Sequence, residues 1–290
     1  MRIIGNQKAT KLLDKIVATG KVANAYLFSG PEHVGKFTAA LEFAQNLAGH
    51  AKVNPNLTIV RPETEEKRGI VKKSNIKIEA IRDLRHKLGL YGDAGKYKAA
   101  IIDEAEKMLP AAQNALLKTL EEPNDKVVLI LVCQNENKLL PTIVSRCQRI
   151  RFGPAGREEI EKLIGGGANS KEILSWSMGR PGVALEIAND SARLESRREM
   201  ARELADLFSQ NLAERFMLAE KWSKNTAELA DRLDLWLIVL RESLLGRRFG
   251  SDIAQDKALD LMRRIIEGKE AIENTNANPR LILENIFLQV

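Results

Sequence analysis

Cysteine is almost missing: Cys133 and Cys147 are the only two in 290 residues. Two thiols exclude a disulfide framework and a four-cysteine zinc site, and they fit a reducing, cytoplasmic address. Aromatic residues make up 5%, too few for binding a single nucleic-acid strand on a platform of stacked rings. No window approaches the ~18–20 uninterrupted apolar residues that a membrane span needs. The opening MRIIGNQKATKLLDK breaks its apolar run with charge at once, so it does not read as a signal peptide. Histidine is scarce as well. His33, His50 and His86 are scattered and suggest no Ser/His/Asp or Cys/His set.

What is present is an ordinary globular composition, 44% apolar and 29% charged, in a length that suits about two domains. Lys and Arg number 45 against 39 Asp and Glu, giving a net charge of +6 and a pI near 9.2. That balance permits an anionic partner without requiring one. The excess is local: Arg61 to Lys98 holds eleven Lys/Arg and six Asp/Glu, among them Lys67, Arg68, Lys72, Lys73, Lys77, Arg82, Arg85 and Lys87. The run reads either as a solvated helix and loop or as a phosphate-facing surface.

Through about Phe152, short apolar runs alternate with helical periodicity. Strands are predicted at Ala25–Ser29, Leu57–Arg61, Lys98–Asp103, Val127–Cys133 and Arg149–Phe152. Helices are predicted at Thr38–Ala48, Ile78–Leu88, Pro110–Glu121 and Leu140–Arg146. Such alternation predicts an α/β fold, a mostly parallel sheet with helices on both faces. Beyond Phe152 the strand signal stops, and apolar residues recur at spacings of three and four. The expected organisation is an α/β domain over 1–153, a small helical lid over 154–190 and an all-α C-terminal domain over 191–290. In that last domain Leu233–Leu245, with Trp236 and Leu240 on one face, reads as intramolecular core, or in part as a subunit interface.

Two motifs carry chemistry. Gly30-Pro31-Glu32-His33-Val34-Gly35-Lys36 stands between a predicted strand and a predicted helix, the context of a phosphate-binding loop. Its backbone N–H groups and the helix dipole would cradle phosphates, with Lys36 reaching the terminal ones. The alternative is a glycine-rich turn that binds nothing. The residue after the lysine should carry a hydroxyl for Mg²⁺, yet it is Phe37, and Thr38 is turned by about 100° from that position. The second motif, Ala99–Ala105 (AAIIDEA), is an apolar strand ending in Asp103 and Glu104, the arrangement that sets one acid on Mg²⁺ and another on attacking water. Gly30, Pro31, Val34, Gly35, Lys36, Thr38, Asp103 and Glu104 form the candidate cofactor site for ATP or ADP, with Mg²⁺ only when nucleotide is bound.

These residues together resemble the AAA+ clamp-loader family of bacterial DNA polymerase III. The resemblance rests on Ile4-Gly5, Ala25–Pro31, Ile76–Leu84, Ile102–Met108, Asn114–Pro123 (NALLKTLEEP), Leu140–Cys147 (LPTIVSRC) and Asn276–Ile286 (NANPRLILENI). It implies an AAA+ P-loop domain, the small lid and a C-terminal collar that serves ring assembly. The function implied is loading of the sliding clamp onto primed DNA. The partners implied are the motor (gamma/tau) and delta subunits, with the clamp itself contacted mainly indirectly. Arg146 matches the family's arginine finger, which acts on a neighbouring subunit's nucleotide, and Arg82 falls where motor subunits touch DNA.

Three departures bear on motor activity. Phe37 removes the metal-ligating hydroxyl, Gln134 stands where the first sensor position carries Asn or Thr, and the slot of the second sensor arginine falls on Gly182, with Arg180 two residues earlier. A defective site beside an intact Arg146 implies a subunit that helps its neighbour hydrolyse ATP, its own ATPase weak or absent. Two alternatives stay open: an ATP-hydrolysing motor of the same family, and a nucleotide-gated adaptor outside replication. Many relatives carry four cysteines in the segment after the first helix. Here residues 49–56 (GHAKVNPN) carry none, so no zinc is expected.

Overall fold

A computed structural model describes residues 3–51, 54–67, 70–89, 96–122, 126–246, 255–274, 277–288 and 290. Of the residues quoted above, Met1, Arg2, Lys52, Val53, Arg68, Pro123 and Asn276 lie outside the described residues. The elements in chain order are α1 (Gln7–Thr19), β1 (Ala25–Ser29), α2 (Lys36–Ala48), β2 (Leu57–Val60), β3 (Thr64–Lys67), β4 (Ile70–Lys73), α3 (Ile78–Gly89), β5 (Lys98–Ile102), α4 (Pro110–Glu121), β6 (Val127–Cys133), α5 (Pro141–Arg146) and β7 (Gln148–Arg151). There follow α6 (Arg157–Ile164), α7 (Ser170–Ser177), α8 (Pro181–Asn189), α9 (Ser191–Leu207), α10 (Leu212–Trp222), α11 (Thr226–Leu244), α12 (Gln255–Asn274) and α13 (Pro279–Phe287). The chain forms two compact units, one of Met1–Gly165 with Gly179–Gly182, the other of Gly166–Met178 with Val183–Val290.

The first unit is built on a five-stranded parallel sheet in the order β2-β5-β6-β1-β7. Its strands are apolar almost throughout because both faces are covered. Tyr26, Phe28, Ala99, Ile101, Val128, Ile130 and Val132 pack on one side with α1 and α2. Leu27, Ala100, Ile102, Leu129 and Leu131, one residue out of phase, pack on the other with α3, α4 and α5. This alternation follows from the two-residue repeat of a strand. Each fully buried Leu or Ile contributes roughly 1.5–3 kcal/mol, so the two layers hold the sheet together.

Two elements go beyond the sequence expectation. β3 and β4 pair as an antiparallel hairpin within the basic run, where helix and loop were expected. Their TEEK and IVKK sequences are charged and too short to show apolar alternation. The other is α1, which buries Ala9, Leu13 and Ile16 along one stripe.

The second unit is all-helical. Trp222, Trp236 and Phe287 make an aromatic cluster with ring centroids 5.4, 6.0 and 6.2 Å apart, and the Trp236 indole N–H donates to the Met200 carbonyl at 3.0 Å. Leu233, Trp236 and Leu240 are buried within the chain itself. Among the described residues no helix is long and apolar enough to cross a membrane.

Candidate nucleotide-binding site

Because the sheet is parallel, the residues that leave β1, β2, β5 and β6 emerge at one edge, the position where open α/β sheets hold ligands. Those residues are Gly30, Arg61, Asp103 and Gln134.

The loop after β1 takes its shape from glycine. Gly30 has φ +142°, and a Cβ there would collide with the Phe152 carbonyl at the end of β7. Gly35, with φ +93°, is the N-cap of α2. His33 also adopts a left-handed conformation, φ 59°, and Val34 is fully buried. The turn therefore delivers the backbone N–H groups at the start of α2 toward the sheet edge, the geometry that receives phosphate. Lys36 is only 7% exposed. Its ammonium donates to the carbonyls of Gly30 and Pro31, folding back across the loop. Burial lowers its pKa, and Glu106 is the largest of the nearby charges that oppose this, with Glu32 and Asp103 also contributing.

Asp103 follows β5, and its amide donates to the Val60 carbonyl at 2.9 Å. Both of its carboxylate oxygens carry partners: Oδ1 accepts from the Glu104 amide at 3.2 Å, and Oδ2 lies 3.3 Å from Arg61 Nε. The Arg61 guanidinium also covers the Phe37 ring, 4.0 Å from its centroid. Glu104 is left-handed, φ 51°, and caps the 3-10 turn Ala105–Lys107. Thr38 is half-buried on α2.

Gln134, which the resemblance sets at the first sensor position, closes on the loop. The Gln134 side-chain amide donates to Glu32, and its backbone N–H donates to Glu106 Oε1 at 3.0 Å. Glu106 Oε2 is buried without a hydrogen-bond partner. Gly182, which the resemblance sets at the second sensor position, meets the loop too. The Gly182 amide donates to the His33 carbonyl at 2.9 Å, and a Cβ at Gly182 would lie 3.0 Å from His33 Cβ. Any longer side chain in that slot meets the loop at its first atom.

The fit to a nucleotide and to its metal therefore differs. Positive-φ glycines, a helix N-terminus and Lys36 suit phosphate. In nucleotide sites Mg²⁺ is held by one or two protein oxygens beside phosphate and water; here the hydroxyl position holds a ring and Asp103 is paired with Arg61, so the residues present suit the metal less well than they suit phosphate. Among the described residues no group of three or more His, Cys, Asp or Glu is placed to hold a metal ion.

The two other predicted residues stand elsewhere on the first unit. Arg146, the last residue of α5, donates from Nη1 to the Thr142 carbonyl at 3.1 Å and from Nη2 to Glu121 Oε1 at 2.9 Å. Arg82 is exposed on α3 and with Arg85, His86 and Lys118 lines a surface cavity of about 430 Å³. On that helix Ile81, Leu84 and Leu88 face the core, which leaves the basic side chains outward.

Sequence reading missed Arg61 and Glu106. Both sit within one turn of a strand end, and strand ends of a parallel sheet converge. That was the available signal.

A model of the family DNA polymerase III, delta subunit, matches residues 5–156. The DNA polymerase III subunit tau of Bacillus subtilis is 37% identical over 158 residues, 52% of this chain and 28% of that protein. The subunit delta' of Pseudomonas aeruginosa is 28% identical over 308 aligned positions, 92% of this chain and 91% of that one. The chain thus spans little of the tau relative and nearly all of the delta' relative. Among solved structures, a gamma subunit-related protein of Thermotoga maritima superposes with a TM-score of 0.55 at 21% identity, over 95% of this chain and 97% of that one. That likeness bears on the fold alone.

Proposed function

From the premise that the chain belongs to the DNA polymerase III delta subunit family, we propose that it is a delta-prime-like subunit of the replicative clamp loader. The observation that carries this reading is the contrast between two places on the first unit. The nucleotide site has Phe37 in place of a hydroxyl, Arg61 on Asp103 and the Gly182 backbone against the loop. Arg146 lies apart on α5, its side chain 38% exposed. A motor needs the first place in order. A subunit that assists a neighbouring motor needs only the second.

In this role Gly30, Pro31, Val34, Gly35, Lys36 and Thr38 would hold the phosphates of ATP or ADP. A bound nucleotide would supply anionic phosphate to the N–H groups of the loop and of the start of α2. Lys36 would leave the Gly30 and Pro31 carbonyls to meet it, and hydrolysis by this chain itself would be weak or absent. Arg146 would enter the nucleotide site of an adjacent gamma/tau motor and stabilise charge on the transferring phosphoryl group, an effect of about 10³–10⁵ in rate for such fingers. The second, all-helical unit would serve as the collar beside the motor and delta subunits. Arg82 and its basic neighbours would approach the backbone of primed DNA, and the sliding clamp would be met mainly through other subunits.

The test is steady-state ATPase of the purified chain, alone and then mixed with motor subunit, delta, clamp and primed DNA. Silence alone, with stimulation of the mixture that is lost in Arg146→Ala while assembly persists, is the expected result. Turnover by the isolated chain that vanishes in Lys36→Ala would make the protein a motor instead.

A further inference from the structure

The nucleotide site carries its own cation. β2 and β5 pair in parallel with Val60 beside Ile102, so the next residue of each strand emerges next to the other. Those residues are Arg61 and Asp103, and the register alone brings guanidinium to carboxylate, Nε to Oδ2, at 3.3 Å. The same guanidinium rests on the Phe37 ring at 4.0 Å, and Phe37 occupies the position of the missing metal ligand. Phe37 thus carries no hydroxyl and presents a negative π face, which favours a cation above it. A guanidinium is weakly hydrated and offers five donors in a fixed fork, so it can hold Asp103 through one edge and still present N–H groups to a phosphate through another.

We infer that this site takes a nucleoside di- or triphosphate without a divalent metal, Arg61 standing where the metal would otherwise balance the phosphate charge. The inference rests on reading Gly30–Lys36 as a phosphate loop. It is independent of the role of Arg146. Its consequence is that binding does not depend on divalent metal. Mg²⁺ on the nucleotide would bring two charges, one of which Arg61 supplies, and it would compete with the guanidinium for Asp103. Metal-free nucleotide is then bound as tightly as the Mg²⁺ complex, or more tightly.

The experiment is calorimetric titration of the full chain with ADP and with ATP, once in MgCl₂ and once in EDTA. Wild type should bind in EDTA with an affinity equal to or above that in MgCl₂. Arg61→Ala should weaken the EDTA affinity by about tenfold, the size of one charge-assisted contact. Arg61 is 53% exposed, so this variant should fold, and a matching thermal midpoint would establish that. The double variant Phe37→Thr with Arg61→Ala should acquire dependence on divalent metal, read by electron paramagnetic resonance of Mn²⁺ added with ADP. Binding by wild type only when Mg²⁺ is present, Mn²⁺ held by the wild-type ADP complex, or no binding in either buffer would each overturn the inference. None of those results touches the clamp-loader reading, which fails instead if Arg146→Ala leaves the mixed ATPase unchanged.

Discussion

Glu121 holds Arg146: the last residue of α4 accepts from the Nη2 of the last residue of α5 at 2.9 Å. A residue proposed to act on another subunit is thereby restrained within its own chain. Both side chains are well exposed, and ion pairs of that kind are worth about 0–1 kcal/mol. Glu121→Gln is therefore expected to leave the thermal midpoint nearly unchanged and to raise motor-subunit affinity or stimulated ATPase by up to about fivefold. A fall in stimulated rate would mean that Glu121 aims Arg146 instead of restraining it.

The loop after β1 should tolerate no side chain at its first position. Gly30→Ala meets two obstacles, a φ of +142° and a Cβ driven into the Phe152 carbonyl. Left-handed strain and overpacking against backbone together predict a loss of roughly 2–4 kcal/mol. Gly20→Ala is the control, since that position has φ +66° but open space around it, and it should lose only about 1–2 kcal/mol. Urea unfolding of the two variants gives the comparison, and equal losses would show that Phe152 yields.

Neither thiol should react in the folded protein. Cys133 ends β6 and Cys147 follows α5, both buried. Burial pushes each thiol pKa up to about 12, so the reactive thiolate is scarce near pH 8. Treatment with a thiol-specific chromogenic disulfide should label almost nothing in the native state and both cysteines in denaturant. Rapid native labelling would contradict the burial of these strand and helix ends.

In the second unit Glu172 on α7 binds Arg198 on α9 through two donors, Nη2 at 2.7 Å and Nε at 3.0 Å. Burial alone would raise the Glu172 pKa, but the hydrogen bonds from Arg198 and Trp176 outweigh it and hold it below 4.5. The folded pKa lies under the unfolded one. The stabilisation is therefore full above about pH 4.5 and is lost as the pH falls through the folded value. Partial exposure limits it to about 1 kcal/mol. Wild type and Glu172→Gln should differ by that amount in unfolding free energy at neutral pH and converge in acid. A gap that persists in acid would assign the effect to packing.

The local code was legible because it is short in range. Gly30–Lys36 dictates its own backbone through two glycines and a following helix, and the two-sided burial of β1, β5 and β6 is written in continuous apolar runs. The 3.6-residue spacing of Leu and Trp in residues 191–290 likewise announced helices, and the burial of Leu233, Trp236 and Leu240 within the chain follows it. The charged hairpin of β3 and β4 was not legible, since its pairing depends on backbone hydrogen bonds that leave no apolar pattern.

Only tertiary structure decided what the site contains. Arg61 in sequence is one more residue at the edge of a basic run. It becomes the partner of Asp103 because β2 lies beside β5 with Val60 against Ile102. Gly182 against His33 and Glu121 on Arg146 are contacts of the same kind, between residues far apart along the chain. The sequence by itself determined most of the elements, the loop and the residue that follows Lys36. The register of the parallel sheet determined which charge came to lie against Asp103, because side chains that meet across strand ends are chosen by pairing and not by neighbourhood in the chain.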